Sequence, residues 1–469
     1  MMKGTLKIIS TAAFLAAAFL SPGLSPAGEN WAAPLLENPV PRCLPDAAGT
    51  PAPSRPPRAP ATLMFYLDDQ NGGDYVDSYI ARQLKTIEDL SRRNRAVRWL
   101  TISAQNGALP EGKRYELEEQ NLAVTEWDGG TPVPRGDFRT ERKEQKPSFS
   151  NPAVLAYFVE KGLALGSARN ILVMADHGEG SHGLMTTTLK ENGKDLKEIM
   201  RNRDAAAALA GAMKKTDSRI DLIVLDACLM SSIEAMTDFR EEGLEMPVVA
   251  SENTTTPTSG SLNYRKVFGG AADALEEGGP FDALLSGAAI VEQSKGNSAI
   301  DLSLVNLRLL TKDLLESLNG LFSGLASELR EPKKNKAYRK AFLAKITAEK
   351  TINVGETEID LRAWLQMLQK LKSLSEGVRN SAAEIERTAF PETSSADVSK
   401  LVAASENDKA AYTSEKGLSI SHPLVIGEEP LGVFEADCRH AESLRFSALT
   451  GWAEVLKAYA GVDACEGPR

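Results

Sequence analysis

Apolar residues in this chain gather into short unbroken runs, separated by segments whose apolar positions recur at helical spacing. The runs are Ala61-Thr-Leu-Met-Phe-Tyr-Leu67, Ala96-Val-Arg-Trp-Leu-Thr-Ile102, Asn170-Ile-Leu-Val-Met-Ala175, Asp221-Leu-Ile-Val-Leu-Asp226 and Met246-Pro-Val-Val-Ala-Ser251. A continuous apolar run of this length, bounded by polar or small residues, is the signature of a strand buried on both faces of a parallel sheet. Between the runs the pattern predicts helices over roughly 75–93, 152–165, 203–214 and 229–242; the first carries Tyr79, Leu84, Ile87 and Leu90 near helical spacing. Strands alternating with helices predict βαβ units, and hence an α/β fold with a mainly parallel central sheet and helices on both faces.

The second half reads as more helical. Leu310, Leu314, Leu318, Phe322, Leu325 and Leu329 share one face of a helix over 309–329, the pattern of an amphipathic core helix. The basic cluster Lys333, Lys334, Lys336, Arg339 and Lys340 reads as a solvated loop and helix start, Gly417–Leu424 as one more strand, and Gly451–Tyr459 as a closing helix. Residues 128–150, with Arg135, Arg139, Arg142, Lys143 and Lys146, read as a polar surface loop.

The N-terminus changes the picture of where the protein works. Lys3 and Lys7 precede the apolar stretch Ile8–Leu20, and Ser25-Pro-Ala27 offers small residues for cleavage. This predicts a signal peptide over 1–27 and a secreted or periplasmic mature chain. A Pro/Ala-rich lead-in follows over 28–60. No later stretch approaches the ~18 uncharged apolar residues of a membrane span, so no stable insertion is expected after leader removal. The 469 residues are 42% hydrophobic and 25% charged, ordinary for a globular protein, with a net charge of −10. That sign repels phosphate backbones and argues against nucleic acid as a partner. Of the four cysteines, Cys438 with Cys465, or Cys43 with either, would be free to bridge in an oxidising compartment if Cys228 stays a thiol.

Candidate chemistry sits where two of the buried strands end. His177-Gly178 follows the third run and Ala227-Cys228 the fourth. In open parallel sheets the chemistry gathers at the carboxyl ends of the strands. If these two strands are neighbours, an imidazole and a thiol emerge side by side, as a cysteine nucleophile requires. A helix starting near Leu229 would add its N-terminal amides as a stabiliser of the thiolate. Backbone amides of Gly178 and Cys228 would form an oxyanion hole, with Gly178 admitting close approach of substrate. The alternatives are a metal-dependent hydrolase using Asp176, His177, Glu179 and His182, whose spacing matches no zinc motif, and an exported binding or scaffold protein on the same fold. Asp176 is a poor third catalytic residue, because consecutive strand residues face opposite ways.

The sequence resembles the clostripain-like cysteine peptidases, within the caspase, gingipain, legumain and separase group. The resemblance rests on Asp221-Leu-Ile-Val-Leu-Asp-Ala-Cys-Leu-Met-Ser-Ser-Ile-Glu234, with Phe65–Asn71, Ala250-Ser-Glu252, Ser298–Asp301, Gly417–Ile420 and Thr450-Gly-Trp452 as further landmarks. It implies a caspase-like three-layer α/β/α sandwich: a catalytic core over 61–270, and a more helical region over 271–469 with added strands completing the fold. It implies endopeptidase activity on protein or peptide substrates, with His177 and Cys228 as the dyad. It also implies cleavage after Arg or Lys, with Asp226 as the substrate-binding acid, and loop 252–260, including Glu252 and Thr254, as another wall of the cleft. Self-cleavage at Lys190, Lys194 or Lys197 belongs to the same expectation. No cofactor is required for the chemistry; calcium enters by resemblance alone, since no EF-hand-like loop is present. The sequence departs from the family in two places near the cleft, His177-Gly-Glu-Gly-Ser-His182 and Pro257–Asn263, where the family usually carries an aromatic.

Overall fold

The computed structural model describes residues 59–68, 75–103, 122–138, 148–191, 194–252, 262–276, 282–293, 302–349, 358–392, 396–406, 417–422, 425–426, 429–430 and 434–465. All of them belong to one compact unit, residues 42–469. The expected signal peptide, nearly all of the lead-in, and Cys43 lie outside the described residues.

The strands in chain order are β1 (Ala61–Leu67), β2 (Arg98–Ser103), β3 (Leu122–Asp128), β4 (Thr131–Phe138), β5 (Arg169–Ala175), β6 (Leu184–Glu191), β7 (Lys194–Met200), β8 (Leu222–Asp226), β9 (Pro247–Ala250), β10 (Leu302–Asn306), β11 (Glu358–Asp360), β12 (Val402–Glu406) and β13 (Ser419–Ser421). Nine of them form the central sheet in the order β12-β10-β9-β8-β5-β1-β2-β3-β4. The run from β9 to β2 is parallel, and antiparallel strands extend both sides. β10 and β12 come from the second half of the chain, so both halves build one sheet.

The central strands are apolar throughout because both faces are covered. Leu172, Met174, Ile223 and Leu225 enter one core, which the helices α2 (Pro152–Leu163), α3 (Asn202–Thr216), α4 (Ile233–Glu241) and α7 (Lys312–Leu329) share. Ile171, Val173, Ala175, Leu222 and Val224 face the other core, under α1 (Tyr75–Arg93), α5 (Tyr264–Glu276) and α6 (Ala283–Gln293). The alternation follows from the two-residue period of a strand. This is the three-layer α/β/α sandwich expected.

Two elements depart from expectation. Residues 128–138 are no surface loop: β3 and β4 form a hairpin that adds two strands to the sheet. β4 is the outermost strand and carries Pro132 and Pro134, which an edge tolerates because its outer amides need no ladder partner. Arg135 lies in this strand and, with Arg98, pairs with the buried Glu126. Of the remaining expected loop, 139–147 lies outside the described residues. The second departure is partial: the basic cluster opens a helix, as expected, but no loop carries it. It rides on helix α8 (Pro332–Glu349), where Arg339 donates to the Tyr459 carbonyl and Lys334 pairs with Glu328.

The C-terminal helices α9 (Leu361–Lys370), α10 (Glu376–Ala389), α11 (Phe434–Ser443), α12 (Arg445–Thr450) and α13 (Trp452–Ala460) pack on the α7 side. A disulfide joins Cys438 of α11 to Cys465 beyond α13, with Cα atoms 5.3 Å apart, one of the pairings left open above. β11 and β13 form a separate two-stranded sheet. Among the described residues no helix is long and apolar enough to cross a membrane.

Candidate active site

β5 and β8 are neighbours, and their register runs in parallel from Ile171↔Leu222 to Ala175↔Asp226. His177 and Cys228 each lie two residues past these adjacent strand ends, both half-buried at the carboxyl rim of the sheet. Cys228 is a thiol, not half of a disulfide. Alternation along β8 puts Asp226 on the face that carries Val224.

The segment after His177 is a tight hairpin. Met185 N donates to His177 O at 3.1 Å, and Glu179 N to Gly183 O at 2.9 Å, so Gly178 and Leu184 form a bridge. Because these bonds use the amides flanking Gly178, the Gly178 N–H stays outside the ladder. Gly178 has no room for a side chain: a Cβ there would overlap the Cys228 carbonyl oxygen and meet Met230. The two segments therefore touch through backbone. Gly178→Ala is expected to force them apart and lower kcat/KM by about a hundredfold, the scale of a misplacement near 1 Å. Steady-state kinetics beside a melting curve would show this loss exceeding any loss of stability.

The turn at Cys228 is sharp. Leu229 takes a left-handed φ of +61°, uncommon for a branched side chain and concentrated at functional sites. The expected helix start near Leu229 is corrected here. α4 begins at Ile233, with Ser232 as N-cap accepting from Ala235 N. Its N-terminus is thus one turn beyond the sulfur and capped by the chain itself. Residues 229–232 are instead tied to neighbouring strands: Ser231 N donates to Ser251 O, Ser419 N to Ser231 O, and Ser231 Oγ to Gly417 O.

Asp226 ends β8, two residues before Cys228, and is buried. Tyr79 Oη of α1 donates to its Oδ2 at 2.5 Å, and the Tyr264 side chain of α5 faces the same carboxyl. Burial pushes Asp226 up to about 6, against the lowering effect of these hydroxyls and a Leu262 backbone contact. Glu252 is also buried, and its Oε2 accepts from Gly417 N at 2.7 Å. Thr254, the departure at 257–263 apart from Leu262 and Asn263, and the landmark 298–301 lie outside the described residues.

Sequence reasoning missed the groups that hold the His177 hairpin from the C-terminal side. Glu358 of β11 accepts from Ser181 N. His440 of α11 stacks on His182, with ring centroids 3.7 Å apart, and its Nε2 lies 3.2 Å from Ser181 Oγ. Burial, and then the facing His182 ring, lower His440 to about 4; burial also lowers His182. Both shifts favour the uncharged rings. The residues of the metal-hydrolase alternative do not converge, and among the described residues no three His, Cys, Asp or Glu side chains come together to hold a metal ion.

A mostly parallel sheet between helical layers, with imidazole and thiol at adjacent strand ends, defines a cysteine peptidase of the caspase-like class. The chain belongs to the clostripain family, whose profile matches residues 136–420. Solved structures of similar fold include an inactive zymogen C11 protease from Parabacteroides distasonis (TM-score 0.51, 15% identity, covering 84% of this chain and 99% of that one). They also include a secreted C11 cysteine protease from Bacteroides thetaiotaomicron in complex with an irreversible peptide inhibitor (TM-score 0.51, 13% identity, covering 84% and 99%). Comparison with curated protein sequences gives no match.

Proposed function

We propose that this cysteine peptidase is an exported endopeptidase that cleaves after Arg or Lys through a Cys228–His177 dyad. The observation that supports the reading is the pairing of β5 with β8 up to Ala175↔Asp226, two residues before His177 and Cys228, with Gly178 pressed on the Cys228 carbonyl. The Cys228 thiolate attacks the scissile carbonyl carbon. The resulting oxyanion is met by the amides of Gly178, left outside its hairpin ladder, and Cys228. His177 gives its proton to the leaving amine, then takes one from the water that hydrolyses the thioester.

Asp226 supplies the basic preference in this reading. Its carboxyl accepts from Tyr79 and lies at the end of β8, two residues before Cys228. Burial raises its affinity for a proton, and an arriving guanidinium or ammonium would stabilise the buried carboxylate as a charge-assisted pair. Export follows from the leader expected over 1–27. Self-cleavage would fall in the β6–β7 hairpin, which contains all three candidate lysines. Lys197 sits mid-ladder opposite Thr188 and pairs with Glu179, whereas Lys190 and Lys194 flank the hairpin end, so the latter two are the better sites. For calcium, the described residues offer no ligand cluster, and no step is routed through it.

Fluorogenic peptides ending in Arg, Lys, Asp or Ala test the reading. The wild-type protein is expected to cut only the first two. Asp226→Asn should lose at least about a hundredfold in kcat/KM on them, the scale of unpairing one buried charge. Cleavage after Asp or Ala, or an Asp226→Asn variant as active as wild type, would remove the assigned pocket. Silence on every peptide would favour a binding protein on a peptidase fold.

A further inference from the structure

The two catalytic segments are joined by more than their direct contact. Behind the dyad, on the side of α4 and the C-terminal helices, one buried carboxyl group reaches both. Glu358 Oε1 accepts from Ser181 N at 3.4 Å, in the hairpin that begins at His177. Glu358 Oε2 accepts from Ser419 Oγ at 2.5 Å. Ser419 in turn donates its N–H to Ser231 O at 2.8 Å, in the turn that begins at Cys228. The hairpin is shaped to admit this group: Gly180 has a φ of +57°, and a Cβ on it would overlap Glu358 Oε1. On the hairpin's far side, Asn202 Nδ2 donates to Gly180 O and Ser181 O, so residues 180–181 are held from two directions.

We propose that Glu358 is a positioning residue for the peptidase reaction, holding the His177 hairpin in register with the Cys228 turn through Ser181 on one side and Ser419–Ser231 on the other. A buried carboxyl is a costly choice for a merely structural contact, since burial penalises its charge. Two acceptor oxygens on one rigid group, however, receive a backbone N–H and a hydroxyl at fixed separation, which an apolar residue does not. Glu358 touches neither the dyad nor Asp226, whose carboxyl faces Tyr79 and Tyr264 on the opposite side of the sheet. Loss of the bridge should therefore loosen the approach of His177 to Cys228 while leaving the substrate pocket intact.

The proposal rests on the dyad reading above, and its test separates the two. Glu358→Ala is expected to lower kcat about a hundredfold, the cost of misplacing reacting groups, with KM changed less than about threefold because the pocket is untouched. Glu358→Gln should recover kcat to within about fivefold, since its carbonyl accepts from Ser181 N, its amide donates to Ser419 Oγ, and that hydroxyl turns to Ser231 O, 3.2 Å away. An Ala variant with unchanged kcat, a matching rise in KM, or a Gln variant as impaired as Ala would overturn it. If Glu358→Ala does not fold, Ser419→Ala takes its place: it breaks the same bridge, and an unchanged kcat there refutes the proposal. The rate of Cys228 alkylation by iodoacetamide across pH reads the geometry without a substrate. Loosening of His177 should move that profile up by about one unit toward the ordinary thiol near 8.5. A profile that stays in place in folded Glu358→Ala overturns the positioning role. Silence on every peptide with a shifted alkylation profile would instead refute the peptidase reading and keep the bridge.

Discussion

Cys228→Ala is expected to lower kcat at least about 10⁴-fold on any peptide the wild-type protein cuts, leaving only what substrate binding and oxyanion stabilisation supply. The sulfur is the atom that forms the thioester, and none of the groups brought to this rim replaces it. Asp226 turns its carboxyl to Tyr79 and serves substrate binding in this reading, Asp176 lies beyond the end of β5, and His177 acts on the sulfur's own proton. His177→Ala should cost nearly as much, and the double variant little more than either, because a nucleophile and its proton-transfer partner act as a unit. The melting temperature should hold, since Cys228 is half-buried on a turn and carries little packing. The same variant tests self-processing. If Lys190 or Lys194 is cut by the dyad, Cys228→Ala remains a single chain by mass spectrometry while wild type is nicked. Intact, fully active wild-type protein would refute that step. Activity that survives Cys228→Ala and vanishes with a chelator would overturn the dyad and restore the metal-hydrolase alternative.

The candidate pair was legible because the two strands that lead to it are buried on both faces. Such strands have to be apolar end to end, so β5 and β8 stand out, and the residues that break each run are the ones at the sheet rim. Their adjacency was an inference from fold class, and the register settles it. β4 was not legible for the converse reason: as the outermost strand it carries Pro132, Pro134 and Gly136, which read as turn chemistry. The start of α4 was misplaced because Leu229-Met-Ser-Ser232 has no helix breaker. The pair Ser231-Ser232 was the available signal, serine being a preferred N-cap. What forces the delay is the left-handed Leu229 and the tie to β13, nearly two hundred positions away in sequence (about 190). The contacts of Glu358, Glu234, His182 and His440 were beyond reach for the same reason. A buried carboxyl in a polar stretch looks like any surface glutamate until its distant partners are known. Even Cys438–Cys465 was one pairing among several, since spacing does not choose between bridges.

Stability is expected to fall as pH rises through neutrality, and Glu234→Gln is expected to remove much of that slope. Glu234 lies in the first turn of α4 and is buried. Burial, and then the nearby Glu358, raise it from 4.5 to about 8, although Ser421 N donates to its Oε1 at 2.8 Å. Burial likewise raises Glu358 from 4.5 to about 7. The sign follows from proton counting. Between the unfolded value near 4.5 and these folded values, the native state binds protons that the unfolded chain has released, so stability decreases with pH. The contribution is complete below about pH 4.5 and is lost as pH climbs through about 7 and 8. His182 and His440 act oppositely: lowered in the fold, they favour unfolding as pH drops below about 6.5, His440 doing so until about 4. Asp226 and Asp238, each raised to about 6 chiefly by burial, share the sign of the glutamates but are spent at lower pH. Above about pH 7 the two glutamates therefore dominate the slope among these shifted groups. Gln at 234 reproduces the neutral form, its carbonyl accepting from Ser421 N without a proton to lose. At about pH 8 the variant should be more stable than wild type by on the order of 1–3 kcal/mol, and at about pH 5 nearly equal or slightly less stable. Melting temperatures measured across that range decide it. Parallel curves for the two proteins would mean that Glu234 is already ionised in the fold at neutral pH, its charge held by Ser421 N and the first turn of α4 in spite of burial.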